Sequence, residues 1–147
     1  MLERSRLLTY VFAKADAYAR ADGREKQNSN DFLASVYGVL GAYADGAFFD
    51  GPSTRELSAA FMALKGYGTA FDDMSEALRA YARSEGDRAT DECILFEGLV
   101  AAAEARAEKE GERVLSLPTL LAAVMAEPTD AIRAVVLQQA RAEENLL

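Results

Sequence analysis

Few side chains in this sequence are spaced in a way that could do chemistry. Asp72-Asp73 and Glu143-Glu144 are pairs of adjacent carboxylates. Such pairs do acid–base work when both groups converge on one reacting atom. Neighbours on a helix point about 100° apart, so these pairs read as solvated faces. Cys93 is the only cysteine, and Asp91 and Glu92 just before it oppose a thiolate. The chain has no histidine to act as its base. Asp45 and Asp50 stand among glycines but lack the ligand order of a calcium loop. No glycine-rich phosphate loop ending in Gly-Lys-Ser or Gly-Lys-Thr occurs. The expectation is no catalytic residue, no metal ligand, no cofactor and no enzyme activity.

The elements that carry these residues are therefore the main source of information. The chain has 147 residues, half of them hydrophobic. That length suits a single domain spanning 1–147, burying roughly 70% of its unfolded surface. With 24 acidic and 16 basic residues the net charge is −8. Such a surface repels phosphate backbones and anionic lipid, so neither nucleic acid nor membrane is the expected partner. No apolar run approaches the roughly 20 residues that span a bilayer. Met1 to Arg6 lacks the apolar core of a signal peptide. A single cysteine and no leader give a cytoplasmic expectation.

Apolar spacing of three and four predicts about seven to eight helices. Leu7, Leu8, Val11, Phe12, Ala15 and Ala19 mark the first, from about Leu2 to Ala21, with Gly23 as its stop. Asn28 caps a second, with Phe32, Leu33, Val36, Tyr37 and Leu40 inward. Ser53 and Glu56 form a capping box for a third that carries Leu57, Ala60, Phe61 and Leu64. Thr69 caps a fourth with Phe71, Met74, Leu78 and Tyr81. Ser84 to Asp87 breaks the chain. Thr90 caps a fifth with Leu95, Phe96, Leu99, Val100, Ala103 and Ala107, stopped by Gly111. Ser116 caps a sixth, with Pro118 in its first turn and Leu120, Leu121, Val124 and Met125 inward. Thr129 caps a seventh carrying Ile132, Val135 and Val136. No segment alternates with period two, so the fold class is all-α.

A shift of 88 residues, the separation of Gly23 and Gly111, overlays two stretches without gaps. Leu7, Leu8, Val11 and Phe12 meet Leu95, Phe96, Leu99 and Val100. Ala15, Ala17 and Ala19 meet Ala103, Ala105 and Ala107. The cap Asn28 meets Ser116, Phe32-Leu33-Ala34 meets Leu120-Leu121-Ala122, and Val36 meets Val124. Apolar face, stop and cap in one register predict two pseudo-symmetric helical repeats, about 2–83 and 90–147.

On these residues the chain resembles the N-terminal domain of the Clp (Hsp100) unfoldases, which is built from two helical Clp repeats. That repeat has an alanine-rich helix, a glycine, and a capped helix with the flavour T-E-H-L-L-L-A-L-L. Ser116 to Met125 reads S-L-P-T-L-L-A-A-V-M. Phe61 to Gly68 resembles the family's run into a turn, and Thr69 to Leu78 the short helix after it. The resemblance implies a module that docks protein substrates or adaptors for an unfoldase or its protease. In some members the glutamate of T-E-H helps bind phosphoarginine. Here that position holds Asn30 and Pro118, and the histidine position holds Asp31 and Thr119, so the site is not carried over.

Tyr43, Phe48, Phe49 and Tyr67 are the expected partner contacts, since they flank the repeat junction and aromatics anchor interfaces. Burial of Phe48-Phe49 under neighbouring helices is the alternative for that pair. The alternative functions are a free-standing Clp-repeat accessory protein, a small ligand-binding bundle and a self-associating structural bundle.

Overall fold

The computed structural model describes residues 2–85 and 88–138; Glu143-Glu144 and Gly86-Asp87 lie outside them. The described chain is all-α, with seven helices and one short pair of strands. β1 is Glu3–Arg4, α1 Arg6–Ala21, α2 Ser29–Ala44 and α3 Gly51–Leu64, which tightens into a 3-10 turn at Lys65–Tyr67. α4 is Phe71–Ser84, α5 Arg88–Lys109, β2 Val114–Leu115 and α6 Leu117–Ala126. α7 opens at Asp130–Ile132 and widens to π-helix over Arg133–Leu137.

α2 is the axis of the molecule. Phe32, Leu33, Ala34, Val36, Tyr37, Val39 and Leu40 are all buried, so the helix is covered on every side. Its start is held by a capping box, in which Asn28 Oδ1 accepts from Asp31 N at 3.1 Å and Asp31 Oδ2 accepts from Asn28 N at 2.9 Å. Short hydroxyls let its neighbours approach closely. Ser35 Oγ donates to Val11 O of α1 at 2.8 Å, and Ser75 Oγ of α4 donates to Ala34 O at 2.7 Å. Phe12, Phe32 and Phe96 meet with ring centroids 5.5–6.2 Å apart and lock α1, α2 and α5 together.

Several expected boundaries move, each for a local reason. The first residues do not begin α1: β1 pairs in parallel with β2, Glu3 against Val114 and Arg4 against Leu115. A two-residue pair carries no detectable alternation, so periodicity could not reveal it. Ser5 then caps α1, its Oγ accepting from Leu8 N at 3.1 Å. Ser53 does not cap α3; Asp50 does, accepting from Ser53 N at 2.8 Å, with Pro52 in the first turn. Thr69 does not cap α4, whose N-cap is Ala70 with no side-chain bond. Thr90 lies inside α5, which starts at Arg88. Ser116 occupies the N-cap position of α6, but its Oγ bonds Thr119 Oγ1 at 3.1 Å. Thr129 caps α7 as expected, accepting from Ile132 N at 3.2 Å.

The 88-residue register has local counterparts and local breaks. α2 and α6 start at Ser29 and Leu117, which are in register. Gly23 and Gly111 both adopt positive φ, +80° and +83°. Gly23 N donates to Arg20 O and Arg24 N to Ala19 O; Gly111 N donates to Glu108 O and Glu112 N to Ala107 O. This stop is a general one, since Gly46 N bonds Tyr43 O and Ala47 N bonds Ala42 O at the end of α2 in the same way. Leu8 and Phe96, Phe12 and Val100, Phe32 and Leu120, and Val36 and Val124 are buried in both stretches. Leu7 is buried but its counterpart Leu95 is 66% exposed, which corrects the expectation that Leu95 faces inward. α6 ends at Ala126, before Pro128, and is shorter than α2.

Candidate functional site

Gly46 ends α2 at φ +95°, and the chain turns through Phe48 and Phe49 to the Asp50 cap of α3. This corner separates the two phenylalanines. Phe49 packs against the core and meets Tyr43 edge-on at 6.5 Å, while its carbonyl accepts from Thr54 Oγ1 at 3.2 Å. Tyr43 reaches Ser58 Oγ at 3.4 Å. Phe48 is 95% exposed, so it makes almost no intramolecular contact. Burial therefore holds for Phe49 and fails for Phe48. Tyr67 sits half-buried in the 3-10 turn and forms no ring pair with the other three among the described residues. Of the four expected contacts, Tyr43 and Phe49 pack together, Phe48 stands exposed beside them, and Tyr67 shares no ring pair with them among the described residues.

A second feature surrounds Asn30, the position where the resembled family places an acid. Asn30 is fully buried. Its Nδ2 donates to Glu92 Oε2 at 3.0 Å and Glu85 Oε2 at 3.4 Å, and its Oδ1 accepts from Thr129 Oγ1 at 2.5 Å. Asn30 therefore joins α2, α4, α5 and α7 internally rather than facing a ligand. Burial, then hydrogen bonding to and repulsion from Glu85, pushes the Glu92 carboxyl up to about 8. Asp31, at the histidine position, pairs with Arg24 through Nη1 at 2.6 Å and Nη2 at 2.9 Å. That bond to Asp31 holds the guanidinium proton more tightly than usual. At the start of α6, where Pro118 sits in the first turn, Glu56 of α3 reaches in. Glu56 Oε1 accepts from Leu117 N and from Ser5 Oγ, both at 2.8 Å. Glu56 was expected to serve its own helix and instead caps another, a long-range role that local spacing could not signal. Glu92 was likewise legible only as a helix-start acid.

Shallow grooves flank α5, two of them beside Phe96 and beside Glu92. One of about 470 Å³ has Phe12, Phe96 and Val100 as its apolar lining and Asp16, Glu25, Glu97 and Glu104 among its charges. Arg4 lies over the Phe12 ring at 4.6 Å along its edge. The other, about 520 Å³, runs beside Glu92, Leu95 and Thr129 and is closed at one end by the Arg88–Asp130 ion pair at 2.6 Å. Cys93 is buried, donates its thiol to Lys26 O at 3.2 Å, and is pushed up by burial. It is held as a thiol, in keeping with a structural role. Asp72 and Asp73 are exposed in the first turn of α4, where the helix dipole favours them. Among the described residues no group of three or more His, Cys, Asp or Glu could hold a metal ion, and no helix is long and apolar enough to cross a membrane. Comparison with protein-family models, curated proteins and solved structures finds no match for the chain.

Proposed function

We propose that this chain is a protein–protein interaction module of the Clp N-terminal type, working in the cytoplasm, that receives substrates or adaptors for a Clp-type unfoldase. Its two halves are read as copies of one helical repeat. The helix starts in register at Ser29 and Leu117 and the paired buried positions on α1 and α5 support that relation. The single observation that carries the docking role is Phe48. A phenylalanine left 95% exposed gives up the stabilisation that burial brings, yet its neighbours Tyr43 and Phe49 hold the corner in place. A rigid corner with one free aromatic is the form of an interface anchor. The phosphoarginine chemistry of some Clp domains forms no part of this reading, because Asn30 is spent on Glu92 and Glu85.

The test is capture by the immobilised chain from a cell extract, followed by identification of what is retained. Wild type is expected to retain a Clp-type unfoldase or one of its adaptors, and Phe48→Ala to lose it with its helical spectrum unchanged. Retention of no component of that machinery, or equal retention by Phe48→Ala, counts against the proposal.

A further inference from the structure

The outward face of α5 is covered by no described residue. Ile94 and Leu95 are 65% and 66% exposed near one end of it. Successive residues turn by about 100°, which brings Ala101, Ala102 and Ala105 into line with them further along. These alanines are exposed as well. Gly98 lies at the centre, and a Cβ built there meets nothing within 4 Å. Its φ is not positive, so neither backbone conformation nor internal packing accounts for a glycine inside this helix. Asp91 and Lys109 end the same face with opposite charges. Neither has an ion-pair or hydrogen-bond partner among the described residues. The charges beside the face are engaged, Glu97 by Lys26 at 2.8 Å and Arg106 by Glu110 at 3.2 Å.

The face is thus graded in size, bulky towards its N-terminal end and small towards its C-terminal end, and its midline ends in Asp91 on one side and Lys109 on the other. We propose that it is the contact between two copies of this chain, with their α5 helices antiparallel about a twofold axis near Gly98 and Ala102. In that arrangement Asp91 meets the partner's Lys109, and the reciprocal pair forms by symmetry. Ile94 and Leu95 fill the space over the partner's Ala102 and Ala105. Gly98 lets the two backbones close at the axis. A parallel pair would set Asp91 against Asp91 and leave the alanine ends apart. The helix pair is about 27 Å long, well short of a standard interface, so the dimer dissociates on dilution. This inference stands apart from the docking role of Phe48.

Sedimentation of the full chain from micromolar to millimolar concentration tests it. The 15.9 kDa monomer is expected to give way to a dimer as concentration rises. Asp91→Lys and Lys109→Asp each weaken the dimer about tenfold, since two symmetric pairs become repulsive, and the double swap restores it. Gly98→Leu blocks the close approach and abolishes the dimer. All of these positions are exposed, so the fold is retained. A monomer at every concentration, a dimer indifferent to the single reversals, or a double swap no better than either single overturns the proposal. So does a monomer that uses Ile94 and Leu95 to bind a different protein.

Discussion

Glu92 keeps a carboxyl group in the interior among Asn30, Glu85 and Thr129. Its folded value is about 8 against an ordinary 4.5. Between those values the folded chain holds a proton that the unfolded chain has released. Stability therefore falls as pH rises through that window and levels off above it. Glu92→Gln keeps an oxygen to accept from Asn30 and removes the charge. Thermal melts on either side of the window should show a smaller pH dependence in the variant. At the alkaline end its Tm should rise by about 2–4 °C, the shift that about 1 kcal/mol produces in a chain of this size. An unchanged pH dependence would remove Glu92 as its source. Asp31 has hydrogen-bond partners on both carboxyl oxygens. Asp31→Ala leaves the Arg24 guanidinium, whose side chain is 15% exposed, with the longer contact to Asp22 at 3.5 Å in place of its bidentate partner. A loss of about 2–4 kcal/mol in urea unfolding is expected, from the cap and the charged hydrogen bonds together. The capping role of Asp31 was close to legible, because Asn28 and Asp31 are three apart. The partnership of Asn30 with Glu92 was not, because it joins residues 62 apart in sequence.

At the scale of elements, the glycine stops were the most legible feature and the caps the least. Gly23 and Gly111 follow alanine-rich faces, and a left-handed residue there frees the chain to turn. Gly23→Ala and Gly111→Ala should each destabilise by about 1–2 kcal/mol, and by similar amounts, since φ and hydrogen bonding agree at both. A denaturation midpoint unmoved at one of them would mean that its turn relaxes. Two caps failed where a better acceptor stood nearby: Asp50 displaced Ser53, and Glu56 from α3 supplied the carboxylate at the start of α6. Apolar stripes located α2 well because it is enclosed, and α1 because its stripe coincides with its buried face. They misplaced Leu95 because α5 is covered on one side only, and sequence spacing does not say how many neighbours a helix has.

At the scale of the molecule, all-α architecture followed from the absence of alternation and the density of three- and four-residue spacing. Among the described residues only the β1–β2 clasp departs from it. The local structure of the corner at Phe48 and Phe49 was half legible. Two aromatics in a glycine-rich loop marked the corner, but the backbone turn decided that Phe49 goes in and Phe48 stays out. Phe48 has no packing role in the free chain, so its removal isolates binding from folding. The most direct test of the docking account is calorimetric titration of a purified Clp-type unfoldase, or its adaptor, with wild type and with Phe48→Ala. The account predicts saturable binding by wild type and a loss of tenfold or more, about 1.4 kcal/mol or greater, in the variant. No binding by wild type, or equal affinity of the two, would contradict it.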